Sequence, residues 1–130
     1  IEGETTITVN DYQNGRIFDD ALCYSFYPID LHTKDGVVPK HLKRGVVPTI
    51  PRGSLIPKGA KNLMVAGRCL SSDRYANSAA RVQASCMGMG QAAACTAVLA
   101  AKSSITPKEV PLDDIYSLLR EHGAIVPTKS

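Results

Sequence analysis

The sequence predicts a mixed α/β chain of the α+β kind: short strands and turns, then a closing sheet strand, a long buried Ala/Gly-rich helix and a short C-terminal helix. Three observations predict it. β-branched and aromatic runs in the first 66 residues are broken by five of the eight prolines, Val82 to Ala101 carries no charge, and residues 113–122 space their apolar side chains along one helix face.

Taken in order, Thr5 to Val9 is rich in β-branched residues and reads as a strand, and Asn14-Gly15 is a turn pair ahead of Arg16-Ile17-Phe18. Ala21 to Leu31 continues in strand-compatible residues (Leu22, Tyr24, Phe26, Tyr27, Ile29), with Pro28 placing an edge or a break inside it. From Gly36 to Lys61, Pro39, Pro48, Pro51 and Pro57 are interspersed with Gly45, Gly53 and Gly59, which excludes a long helix and leaves short strands joined by turns. Asn62 to Ala66 is a short apolar run of buried-strand type that stops at Gly67, and a loop follows.

Val82 to Ala101, bracketed by Arg81 and Lys102, reads as a helix about 30 Å long. Its polar residues Gln83, Ser85, Gln91 and Thr96, and its many Ala and Gly, gain little in lipid, so a helix buried in protein is predicted rather than a membrane span. Past Pro107 and Pro111, Asp113 to His122 is a short helix: Leu112, Ile115, Leu118 and Leu119 share a face, acids open it and Gly123 takes the position after its end.

Composition narrows the function. The chain has 130 residues and a formal charge of +3, enough for one domain that buries roughly two-thirds of its unfolded surface. With no Trp, two Phe and five Tyr it offers little aromatic surface for stacking bases, and the basic run Lys40, His41, Lys43, Arg44 is a short solvated loop, so no nucleic-acid partner is predicted. Cys23, Cys69, Cys86 and Cys95 lack zinc-finger spacing and are read as reduced thiols packed as small hydrophobes. Asp30-x-His32 with Asp35 would alternate faces on a strand, so no metal site is predicted. No nucleophile elbow and no P-loop is present. The first residue is Ile1, which points to a start that is processed or cut from something longer. The compartment is therefore open, with the cytoplasm as default.

Gly88-Met89-Gly90-Gln91-Ala92-Ala93 matches G-x-G-x-x-A, but residues 81–87 are no strand, so it fails as the first turn of a dinucleotide-binding unit. Small residues near the start of a buried helix still let a ligand approach unsatisfied backbone N–H groups and the positive end of the dipole. Tight helix packing alone is the other reading.

Residues 62–71 (Asn-Leu-Met-Val-Ala-Gly-Arg-Cys-Leu-Ser) followed by residues 80–93 (Ala-Arg-Val-Gln-Ala-Ser-Cys-Met-Gly-Met-Gly-Gln-Ala-Ala) resemble the C-terminal signature of a family of FAD-dependent oxidoreductases. Gly3-Glu4, Asp11, Phe18-x-Asp20, Tyr27-Pro28-Ile29-Asp30-Leu31-His32, Ile50-Pro51 and Ser54 to Gly59 resemble its preceding segments, in the same order. The resemblance implies a glutathione-reductase-like architecture, in which Asn62 to Ala66 closes the FAD-binding sheet and the helix after Gly88 points its N-terminus at the flavin. The flavin would accept a hydride from a small-molecule substrate. Implied cofactor contacts are Gly67, Arg68, Cys69, Arg81, Met87, Gly88, Gly90, Gln91 and Ala92, and His32 is the candidate acid or base on the substrate side. Two positions depart from the family: Ala94 stands where a Gly is frequent, and Arg52-Gly53 where a Tyr-Arg pair is.

The family's Gly-rich FAD-binding unit has no counterpart in these residues, so the chain is expected to be the last part of a longer flavoprotein and to bind FAD weakly or not at all alone. On that reading residues 1–61 are substrate-side strands and loops, 62–102 the FAD-facing strand, loop and helix, and 103–130 the C-terminal helix and tail. Its partners would be an upstream FAD-binding domain of the same polypeptide and, in some assemblies, a second copy. The alternative is a non-catalytic interaction domain whose Gly/Ala-rich helix packs on a partner.

Overall fold

Around one long helix the chain arranges two small antiparallel sheets and three shorter helices, in a computed structural model that describes residues 1–37 and 39–128. Val38, and Lys129 and Ser130 at the end of the predicted tail, lie outside the described residues.

The first element corrects the sequence reading. In place of a strand over Thr5 to Val9, helix α1 forms at Val9–Gln13. Thr8 caps it: its hydroxyl accepts from the Asp11 N–H at 3.2 Å, and the Asp11 carboxylate accepts from the Thr8 N–H at 3.0 Å. This reciprocal capping box outweighs the β-propensity of the run, and Ile7 keeps only a single parallel bridge to Ser72. Asn14-Gly15 does turn the chain, but it ends α1 instead of joining two strands, with Gly15 at φ +63°.

Strand β1 (Ala21–Tyr24) pairs antiparallel with β4 (Thr49–Pro51), and β2 (His32–Thr33) with β3 (Gly36–Val37). The Pro/Gly-rich stretch is thus short strands and turns, as its composition requires. Asn62 to Ala66 forms no strand: among the described residues its one backbone bond is Val65 N–H to the Leu55 carbonyl at 2.8 Å, and Leu63 is 53% exposed. It has strand composition with no neighbouring strand to pair with.

The loop expected after Gly67 contains a 3₁₀ turn, Gly67–Cys69, and a helix that composition did not reveal, α2 (Arg74–Ala80). Asp73 caps α2 by accepting from the Ala76 N–H at 2.8 Å, and Ala76, Ala79 and Ala80 bury its inner face. Helix α3 (Gln83–Ser103) follows, ended by Ser104 in the left-handed conformation, and α4 (Leu112–Glu121) closes the fold with Gly123 at φ +75°.

The burial of α3 is one-sided. Ser85, Met89, Ala92, Thr96 and Ala100 are buried, which is one face at helical spacing packed on β1 and α4. The opposite face is largely open to solvent, so the buried helix that the sequence predicts is buried along one face. The helix is long and apolar enough to cross a membrane by length and composition. Its inner face instead joins the core of Tyr12, Leu22, Ile50, Leu55, Met89, Ile115 and Leu119, all fully buried. The polar atoms there are satisfied in a chain: the Tyr12 hydroxyl meets Ser25 Oγ at 3.0 Å, which meets Ser85 Oγ at 2.8 Å.

Candidate functional site

Four of the predicted cofactor-side residues converge at the start of α3. Gly67 has φ +83°, a conformation that favours glycine, and a Cβ there would lie 3.7 Å from Cys86 Sγ, so backbone conformation rather than space requires the glycine. The turn it opens presents Arg68 and Cys69. Arg68 Nε donates to the Arg81 carbonyl at 3.4 Å, the Cys86 thiol donates to the same carbonyl at 3.3 Å, and the Asn77 amide donates to the Arg68 carbonyl at 3.3 Å. Gly67, Arg68, Cys69 and Arg81 are thereby tied to the first turn of α3.

That turn is an open donor site. The first bond inside α3 runs from the Cys86 N–H to the Val82 carbonyl at 3.0 Å, so the N–H groups of Gln83, Ala84 and Ser85 have no acceptor within the helix. Val82 supplies no side-chain cap. Unused N–H groups and the positive end of a 21-residue helix dipole favour an anion or an electron-rich ring.

The other five predicted contacts lie elsewhere on the helix. The helix begins at Gln83, as the uncharged run from Val82 predicts, and not after Gly88, as the resemblance implies, because Gln-Ala-Ser-Cys-Met over 83–87 contains no helix breaker. Gly88 and Gly90 therefore sit inside the hydrogen-bonded ladder. Gly88 faces β1, where a Cβ would lie 3.6 Å from Cys23, and Gln91 donates to the His122 carbonyl at 3.3 Å on the α4 side. Ala92 is fully buried. Met87, by contrast, is 75% exposed, and a Cβ on Gly90 would meet no atom within 4 Å. With Gln83, Ala94, Ala97 and Ala101, these two form an uncovered strip of mostly small residues along the whole helix.

A second grouping brings together His32 and Arg81, which the sequence singled out separately. With Leu31, Arg74, Asn77 and Ser78 they line a cavity of about 280 Å³ between β2 and α2. Arg81 Nη2 stands 3.5 Å from Asp30 Oδ1, so Asp30 is an ion-pair partner. Among the described residues no group of three His, Cys, Asp or Glu side chains converges as metal ligands. Arg74, Asn77 and Ser78 are not singled out by the sequence, because the stretch after Gly67 reads as a loop and the spacing of α2 is then invisible. The available signal was Asp73 at a capping position before Ala76, Ala79 and Ala80 at helical spacing.

Other groups are structural. The Arg52 guanidinium donates to the Val110 carbonyl at 2.6 Å and the Pro107 carbonyl at 3.4 Å, tying β4 to the segment before α4, and its burial lowers its pKa. Burial pushes the Cys23 thiol up to about 12 and raises Cys95 as well. All four thiols are free; Cys23 and Cys95 are packed as small hydrophobes, while Cys69 is exposed and Cys86 half-buried, which corrects that reading for the latter two. The basic residues Lys40, His41, Lys43 and Arg44 lie exposed in a loop, as predicted.

The family model for FAD dependent oxidoreductases matches residues 1–121 of this chain. No curated protein and no solved structure matches it.

Proposed function

Because the chain belongs to the FAD dependent oxidoreductase family, we propose that it is the flavin- and substrate-facing portion of such an enzyme, C-terminal to an FAD-binding unit of glutathione-reductase-like architecture. Family membership carries an FAD-linked redox role in general. The observation that supports the finer reading is the uncapped start of α3 set against Gly67–Cys69, on a helix whose outer strip is largely exposed among the described residues.

When bound, FAD supplies the hydride acceptor. Around it, this chain's residues do electrostatic work. The N–H groups of Gln83, Ala84 and Ser85 and the α3 dipole would hold an electron-rich or anionic part of the cofactor with donors that are already in place. Gly67 allows the left-handed backbone that opens this turn, while Arg68 and Arg81 add positive charge beside it. Gly90, Met87 and the Ala strip are the docking face for the FAD-binding unit, whose sheet would also take up Asn62 to Ala66. His32, exposed on β2 in the cavity it shares with Arg81, is the candidate proton carrier on the substrate side.

The test is flavin content. In the full-length polypeptide, Gly90→Leu fills the docking face and should lower FAD occupancy roughly tenfold, the size of a typical overpacking penalty. FAD retained at full stoichiometry would overturn the assignment of this face. In the 130-residue chain alone a flavin titration should show weak binding or none. Tight stoichiometric binding there would overturn the need for a second unit.

A further inference from the structure

We propose that the cavity between β2 and α2 holds the carboxylate of a small organic-acid substrate, gripped by Arg74 and Arg81; this rests on the oxidoreductase reading above and names its substrate class. Arg74, Asn77, Ser78 and Arg81 occur at i, i+3, i+4 and i+7, so α2 and its C-cap turn one polar face toward Leu31 and His32. The two arginines are two helical turns apart, about 10 Å along the axis, and approach the cavity from either end. At about 280 Å³ the space suits a molecule of several heavy atoms.

The charge balance favours an anion. Two guanidinium groups line the cavity, against the single carboxylate of Asp30 beside Arg81. Asp30 Oδ1 is 3.5 Å from Arg81 and makes no hydrogen bond, so the Arg81 donors are not consumed by it. Among the described residues Arg74 has no acidic partner. The neighbouring polar groups are already committed: Asn77 donates to the Arg68 carbonyl and to Ser72 Oγ, and the Ser78 hydroxyl donates to the Tyr75 carbonyl at 2.7 Å. The free donors are therefore the planar forks of arginine, which match a carboxylate in bidentate geometry. Asn77 and Arg81 also belong to the hydrogen-bonded cluster around Gly67–Cys69, so an acid held here lies next to the flavin-side turn.

Calorimetric titration of the 130-residue chain with succinate, succinamide and inorganic pyrophosphate tests this. Succinate should bind saturably, and succinamide should not. Arg74→Gln and Arg81→Gln should each weaken succinate roughly tenfold, as expected for losing one charged hydrogen-bonded contact. Arg74→Lys should recover part of the loss, and Lys58→Gln on the remote surface should cause none. Arg74 is exposed, so its variants keep the fold, which circular dichroism verifies. Absent saturation, equal binding of succinamide, or indifference to both arginine variants would overturn the proposal. Tighter binding of pyrophosphate would also overturn it, by giving the cavity to the cofactor. None of these readouts involves flavin, so their failure is distinct from failure of the Gly90→Leu test.

Discussion

Replacing Gly90 by alanine should stabilise this chain. Gly90 lies in the interior of α3, where glycine costs about 0.8 to 1 kcal/mol relative to alanine through backbone entropy. Its φ is ordinary for a helix, and the added Cβ would meet no atom within 4 Å, so no strain or clash opposes the gain. The whole propensity difference, about 0.8 kcal/mol, should therefore appear as stability. For a chain of this size that raises the midpoint of thermal unfolding by about 3 to 5 °C and the urea midpoint by about 0.5 M. With no Trp in the sequence, far-ultraviolet circular dichroism is the probe of choice. Destabilisation by about 1 kcal/mol or more would refute the argument, because it would mean the outer face of α3 is already packed. A midpoint that rises with protein concentration in the parent chain and not in Gly90→Leu would identify that packing as a second copy. On the function proposed above, a glycine that lowers the stability of its own helix answers to a requirement outside it, the close approach of an FAD-binding unit.

Two further predictions concern the thiols and the acid limb of stability. An aromatic disulfide reagent should label Cys69 first and Cys86 next in the native chain, whereas Cys23 and Cys95 should react only on unfolding, since both are 8% exposed and burial holds the Cys23 thiol near 12; native labelling of Cys23 ahead of Cys69 would contradict the packing of β1 on α3. Burial works against the Asp11 carboxylate, but Arg16 and the Thr8 hydroxyl and N–H outweigh it and hold its pKa below the ordinary value. A depressed carboxylate contributes stability that is present above its unfolded pKa and lost as pH falls through the folded one. Asp11→Asn should accordingly lower the urea midpoint at pH 7, and the parent's advantage should vanish in strong acid; an equal gap at both ends would show that the cap is not electrostatic.

The legible parts of this fold are those where one local signal dominates. Val82 to Ala101 has no breaker, and α4 carries acids, an apolar face and Gly123 in register, so both helices were placed within a residue or two. Where two signals compete, composition misled. Thr5 to Val9 is β-branched, yet the Thr8/Asp11 pair decides the backbone through two hydrogen bonds that propensity does not count. Asn62 to Ala66 has the residues of a strand, but a strand exists only with a partner, which is a property of neighbours and not of the segment. The site was half legible for the same reason. Gly67, Arg68 and Cys69 are neighbours in sequence, but Arg81 joins them across 13 residues, and Arg74 shares a cavity with His32 only because α2 is a helix.

The unpaired run at Asn62 to Ala66 has a consequence for handling the chain in solution. Apart from the Val65 N–H, bonded to the Leu55 carbonyl, and the Ala66 carbonyl, which accepts from the Cys69 thiol, its main-chain groups are a template for β-addition, with Leu63 facing water. Three cations guard it: Lys58 and Lys61 on one side and Arg68 on the other, acting as gatekeepers whose mutual repulsion keeps two copies from zipping together. Added salt screens that repulsion while leaving the apolar attraction intact, so the isolated chain should lose solubility as ionic strength rises.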